Sequence, residues 1–257
     1  MIVIPLQSGS SGNCIYVESG DTAVLLDAGV AGVHVQRRLD ARGCDIRGVR
    51  AVVVSHDHMD HASHAGVLHR KCGIPVYCTM ATIARMREKM EVGRIGDLQL
   101  FSAGTTLAIG SLLIDTIPTP HDGADGVAFI VRAEGLRLGI LTDLGHVFPG
   151  LSERIAALDA VIIESNYDPD LLARGPYPPW LQARIKGPGG HLSNEESAGI
   201  LSAANRTRLQ WACLAHLSEN NNRPDLAETA HRALLGSELR LFIADRYGAC
   251  GPFEVVA

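Results

Sequence analysis

Several features are missing from this chain of 257 residues. Its six cysteines, Cys14, Cys44, Cys72, Cys78, Cys213 and Cys250, are scattered and form no Cys-x-x-Cys pair. That argues against a disulfide framework and fits reduced thiols in a cytoplasmic protein. No stretch approaches the roughly 18 apolar residues that a membrane span needs. The opening MIVIPLQSGSSGN has no basic region ahead of its short apolar run. Neither a membrane partner nor a signal peptide is therefore expected. An excess of positive charge is also absent, since the formal net charge is −5. Nucleic-acid binding through bulk basicity is excluded, while a local basic patch stays open. There is no fixed-period repeat and no low-complexity tract, and nothing fixes an oligomeric state. What is present is ordinary for a globular protein, with 46% hydrophobic and 20% charged residues. The length suits one α/β domain or two small ones, and a single domain over residues 1–257 is the expectation.

Short apolar runs bounded by turn residues predict strands at 1–6, 14–17, 23–26, 49–54, 76–78, 112–114, 127–131, 136–141, 160–163, 209–214 and 239–243. Helical patterns lie between them at 33–41, after His64 up to Gly73, at 81–90 and at 151–158. Two more follow. One covers 194–204, with Ser193 as N-cap and Glu196 completing a capping box. The other covers 224–235, with Pro224 in its first turn. Helices between groups of strands in both halves predict two packed sheets with helices outside, a four-layer αββα sandwich of the α/β class. Arg174–Gly190, rich in proline and glycine, reads as a long loop.

The strongest local signal is VVVSHDHMDH, where His56-x-His58-x-Asp60-His61 follows an apolar run. Imidazole offers a nitrogen lone pair near neutral pH, and Asp adds a hard, negative oxygen; together they suit divalent metals. His121 in IPTPHDG, Asp143 in GILTDLG and His216 in CLAHLS also follow apolar runs. Strand exits are where α/β folds place their chemistry. Glu164 in VIIESNYD and His191 in GGHLSNEE complete a second set. A carboxylate paired to a histidine orients the ring and raises its basicity, so the pair can donate a proton to a leaving group.

The set His56-x-His58-x-Asp60-His61, His121, Asp143 and His216, with Asp27 in VLLDAG, resembles the metallo-β-lactamase superfamily across nearly the whole chain. The resemblance implies an αββα sandwich with two metals between the sheets. His56, His58 and His121 would bind the first, Asp60, His61 and His216 the second, and Asp143 would bridge them. Asp27 would hold the loop that carries the ligands. His58, where the flavodiiron branch has Glu, argues against redox iron. Zinc or manganese is expected, with iron also compatible with the donors. Two divalent ions with a hydroxide between them can hydrolyse a phosphodiester, an ester or a lactam, and the ligands alone do not choose. In the phosphodiesterase branch a Glu–His pair in this context is implicated as proton donor, which places Glu164 and His191, with Asp60, among the catalytic residues. SGSSGN, HDGADGVAF, TDLG, ESNYD, GHLSNEES and HLSENNNRPDLA resemble the YycJ/WalJ-type subfamily, regarded as 5′-to-3′ DNA exonucleases. That implies DNA ends as the partner. No insertion large enough for a β-CASP domain separates Asp143 from His216.

Substrate contacts are expected from Ser11 and Asn13 in the first turn, from Arg184 and Lys186 beside Trp180 and Tyr177, and from Ser218 and Asn221 after His216. Ser11 and Asn13 serve equally as turn caps, and Ser218 and Asn221 could instead support the ligands. Arg85, Arg87 and Lys89 read as a solvated helix face; His34, His69 and His231 as surface residues; Met80, Met86 and Met90 as core. The alternatives kept open are a small-molecule or cyclic-nucleotide phosphodiesterase, a ribonuclease Z-like RNA nuclease, and a non-catalytic protein that keeps a metal for stability.

Overall fold

Alternation along each strand sorts side chains to two faces, and in this protein both faces are buried. In Cys14–Ser19, Ile15 and Val17 enter one core while Cys14 and Tyr16 enter another. In Ala160–Glu164, Ala160 and Ile162 point one way and Val161 and Ile163 the other. Strands with two apolar faces need cover on both sides, and two stacked sheets with outer helices provide it. The computed structural model describes residues 1–257 and has this αββα architecture.

One sheet contains β1 (Ile2–Gln7), β2 (Cys14–Ser19), β3 (Thr22–Leu26), β4 (Val49–Val53), β5 (Val76–Thr79) and β6 (Leu98–Phe101). The other contains β7 (Thr106–Ile109), β8 (Leu112–Pro118), β9 (Val127–Ala133), β10 (Leu136–Leu141), β11 (Ala160–Glu164), β12 (Trp211–Ala215) and β13 (Arg240–Ile243). β14 (Phe253–Glu254) returns to pair with β1, giving the orders β14-β1-β2-β3-β4-β5-β6 and β13-β12-β11-β10-β9-β8-β7. Val24, Leu26, Val53, Phe129, Ile140 and Ile162 fill the space between the sheets. Outside the first sheet lie α1 (Gly32–Asp40), the single turn α2 (Met59–Ala62), α3 (Ala65–Cys72) and α4 (Met80–Lys89). Around the second lie α5 (Leu151–Ala156), α6 (Pro169–Arg174), α7 (Pro179–Lys186), α8 (Asn194–Ala203) and α9 (Pro224–Leu235). No helix is long and apolar enough to cross a membrane.

β3 to β6 run parallel to one another, as do β10 to β13. Their carboxyl ends therefore emerge together, and the loops carrying the candidate ligands leave from those ends.

Three expectations are corrected. Arg174–Gly190 is not one long loop, because α7 forms inside it. Pro179 in the first turn needs no hydrogen-bond partner and has a helical φ, and Ile185 anchors the helix against Tyr167 and Leu172. His231 is buried, not on the surface: α9 packs on α8, and the ring bonds Ala227 O and Ser197 Oγ. Met80 is exposed while Met86 fills the core, because α4 turns only one face inward. The short edge strands β6, β7 and β14 carried too few apolar residues to be read in advance.

Phe129 lies between the sheets with 1% of its surface exposed. Phe129→Ala should cost about 3–5 kcal/mol, read as a lower urea midpoint with an unchanged slope.

Candidate metal centre

Asp27 shows how the fold aims one ligand. The chain leaves β3 at Leu26, and Asp27 follows with φ 65°. Its Oδ1 accepts the backbone N–H of Ser55 at 2.7 Å, fixing the exit of β4. Its Oδ2 accepts from Nδ1 of His61, also at 2.7 Å. With that proton on Nδ1, Nε2 of His61 faces inward with its lone pair. The same device recurs. His121 Nδ1 donates to Gly190 O at 2.8 Å, and His216 Nδ1 to Asn13 Oδ1 at 3.2 Å. His56 Nδ1 lies 2.9 Å from Ser55 Oγ. His58 is turned the other way: its Nε2 is 3.3 Å from Asp122 Oδ1, and its Nδ1 is 3.2 Å from His121 Nε2. A side chain at Gly123 would come within 2.7 Å of the His56 ring, so that turn requires glycine.

Asp143 stands in the middle, with φ 55°. Its oxygens are 3.2 Å from His61 Nε2, 3.3 Å from His216 Nε2 and 3.6 Å from His121 Nε2. Asp60 is half-buried, with Oδ2 3.6 Å from His61 Nε2 and 4.0 Å from His216 Nε2. Three sets have ligand atoms close enough to hold one ion: His56, His58 and His121; Asp60, His61 and His216; and His56, His61 and Asp143. Asp143, Glu164, His191 and His216 form a fourth. In that set the Glu164 oxygens are already engaged. Oε1 accepts from His191 Nδ1 at 2.6 Å, and Oε2 accepts the backbone N–H groups of Leu144 and Leu192 at 3.1 and 3.3 Å. Glu164 is completely buried, with its oxygens bonded to the His191 ring and to two backbone N–H groups.

The electrostatics call for positive charge. Both Asp143 oxygens and His56 Nε2 are buried with no hydrogen-bond partner, which is costly unless a cation meets them. Burial would raise the Asp143 carboxyl, but His216, His61, His121 and His56 hold it well below the usual range. Burial would lower His61, but Asp143, Asp27 and Asp60 push it up to about 10. Burial, aided by His121, takes His58 down to about 4. These donors, imidazole nitrogens around the buried Asp143 and half-buried Asp60 carboxylates, fit divalent ions well.

The centre opens into a cavity of about 370 Å³ lined by Ser10, Asp57, His58, Met59, Asp60, Lys89, Asp143, Arg184, His191 and His216. Of the expected substrate contacts only Arg184 lines it. Asn13 is buried beneath the ligands, between His216 Nδ1 and His61 Nε2. Ser218 and Asn221 are buried and bond each other at 3.2 Å. Ser11 is exposed and bonds Gln7 and Arg246 O. Lys186 is exposed outside the cavity, as is Trp180, at 69%. Lys89 is exposed, as expected, but it also lines the cavity and pairs with Asp57, a role its helix-face reading did not include. Asp57 and Asp122 were overlooked, although each directly follows a histidine of the centre in an HD doublet.

A beta-lactamase superfamily domain is matched by residues 22–216. The chain belongs to the metallo-β-lactamase superfamily. Members of this superfamily bind divalent metals, and this one carries the His/Asp cluster to do so. It is similar to exodeoxyribonuclease YycJ of Bacillus anthracis, with 32% identity over 224 residues, 86% of this chain and 84% of that protein. Exodeoxyribonuclease WalJ of Streptococcus pneumoniae serotype 2 (strain D39) is 31% identical over 86% of this chain and 83% of its own. The metallo-β-lactamase fold protein YhfI of Bacillus subtilis superposes with a TM-score of 0.72, covering 97% of this chain and 98% of its own at 17% identity. The superfamily and the YycJ/WalJ likeness expected from the motifs are both found.

Two outcomes follow for the centre. Asp27→Asn keeps an acceptor for Ser55 but presents an N–H to His61 Nδ1, moving the ring proton to Nε2. Affinity for Zn²⁺ or Mn²⁺ should fall about 10- to 100-fold by calorimetry, with the fold retained by circular dichroism. In the metal-free chain burial would lower His191, but the Glu164 charge and hydrogen bond, with Asp143 and Asp60, raise it above 6.5. Its stabilising contribution is then full below that pH and is lost as pH rises through the raised value. An NMR titration should place the His191 midpoint above 6.5 in the metal-free chain, and lower in Glu164→Gln.

Proposed function

We propose that this chain is a dimetal phosphodiesterase, a 5′-to-3′ DNA exonuclease acting on DNA ends in the cytoplasm, built as one domain over residues 1–257. The observation that carries the reading is the 2.6 Å pair between His191 Nδ1 and Glu164 Oε1, placed 3.6 Å from Asp143. The exodeoxyribonuclease names of its YycJ and WalJ relatives support DNA as the substrate. His56, His58 and His121 would hold one ion, Asp60, His61 and His216 the other, and Asp143 both. Zinc or manganese suits the donors. When bound, two such ions supply an acidified water and positive charge for the phosphate oxygens.

The protein's own groups do the rest. Glu164 fixes the His191 ring through Nδ1, leaving Nε2 without a partner in the cavity the residue lines. The Glu164 carboxylate raises the His191 pKa, which favours the proton-carrying ring, and the departing sugar oxygen of a cleaved diester needs a proton. A lactam or lactone hydrolase would not depend on this pair.

The test is digestion by the Mn²⁺- or Zn²⁺-loaded enzyme of end-labelled linear duplex, closed circular DNA, structured RNA and bis-p-nitrophenyl phosphate. Linear duplex should be degraded from its 5′ ends and circles spared. His191→Ala should lower kcat about 10²- to 10⁴-fold. Turnover of the small diester alone would move the assignment to a small-molecule phosphodiesterase, and preference for RNA would move it to a ribonuclease.

A further inference from the structure

Two cations line the cavity, and each is tied to a carboxylate that directly follows a candidate ligand. Lys89 is the last residue of α4, on the layer of the first sheet, and pairs with Asp57, between His56 and His58. Asp57 is 1% exposed and its other oxygen accepts the Ala124 N–H at 2.7 Å, so the anchor is fixed. Arg184, on α7 in the other half, gives its Nε–H to Asp122 Oδ2 at 2.7 Å. Oδ1 of the same carboxylate is 3.3 Å from His58 Nε2. Both cations are thus fixed in position relative to His58.

Their hydrogen bonds are not used up. An ammonium has three donors and a guanidinium five. Lys89 has no other partner than Asp57, and Arg184 none other than Asp122. Both side chains are nearly half exposed. The remaining donors are therefore available on the His58 side of a centre that already accounts for the scissile group. An Arg fork and a Lys lining the same cavity suit a phosphate, which accepts through several oxygens.

Resting on the phosphodiesterase reading above, we propose that Lys89 and Arg184 form a subsite for a second, uncleaved phosphate of the strand. A substrate with one phosphodiester leaves it empty; a polynucleotide fills it. The subsite would make the centre choose strands over small diesters, in a chain whose net charge of −5 gives no general attraction for nucleic acid.

The experiment compares kcat/KM of the metal-loaded enzyme on the p-nitrophenyl ester of thymidine 5′-monophosphate with that on oligothymidylates carrying two or more phosphodiesters. Strand affinity is read separately by fluorescence anisotropy in a His191→Ala background, where the strand is not consumed. Wild type should gain about ten- to a hundredfold from the added phosphate, the scale of charge-assisted hydrogen bonds. Lys89→Gln and Arg184→Gln should each lose most of that gain and weaken strand binding, and Lys89→Arg should recover it. Equal losses on one-phosphate and longer substrates would overturn the subsite and make Lys89 a support for the ligand loop. A wild-type gain that survives both substitutions would also overturn it. Failure of wild type to cleave any oligonucleotide while hydrolysing the ester would instead sink the nuclease reading itself, visible before any Lys89 or Arg184 variant is made.

Discussion

The buried carboxylate of Asp143, with neither oxygen hydrogen-bonded, is the constraint around which the site is organised. A protein ordinarily avoids such a group, because removing a charge from water without a partner costs several kcal/mol. Here the surrounding elements increase the demand. His56, His61, His121 and His216 have their Nδ1 atoms engaged by Ser55, Asp27, Gly190 and Asn13, and the outward-bound partners leave the Nε2 atoms around Asp143. Each anchor comes from a different part of the chain, so the whole sandwich must be assembled before the charges meet.

This arrangement explains how an α/β scaffold with apolar strands accommodates so many titratable groups. The space between the sheets is filled mainly by hydrophobic side chains, such as Phe129, Ile140 and Ile162. Chemistry begins one to three residues beyond the strand ends, at Asp27 after Leu26, His56 after Val53, Asp143 after Leu141 and His216 after Ala215. The core keeps the rims in register, and the loops carry the polar cost.

The layers, and the His/Asp residues that the structure brings together as candidate ligands, were legible in the sequence because their signals are local. A β-branched run such as Val52–Val54 followed by HDHMDH states its strand and its metal chemistry within one window. Glu164 and His191 were legible for the same reason, one at a strand exit and the other just ahead of a helix cap. What escaped depends on neighbours distant in sequence. The burial of His231 follows from α8 lying against α9, and no pattern around residue 231 records that. The helix α7 was hidden by the prolines and glycines flanking it, although a proline at a first helical turn favours the helix. Asn13, Ser218 and Asn221 are polar residues near the ligands in sequence, but their burial is decided by the packing of loops from both sheets. The cavity role of Lys89 escaped because its partner Asp57 lies on another element.

Asp27, Asp143 and His216 share a left-handed backbone, with φ of 65°, 55° and 55°. Few residues adopt that conformation readily: glycine, and among the others chiefly Asn, Asp and His. The shape of these strand exits therefore acts as a filter on the genetic alphabet before any metal is considered. Of the residues it passes, all but glycine bear an oxygen or nitrogen donor on a short side chain. At these positions mutation is steered by geometry toward the side chains that chemistry also wants, so a drifting sequence would meet candidate ligands there more often than chance allows.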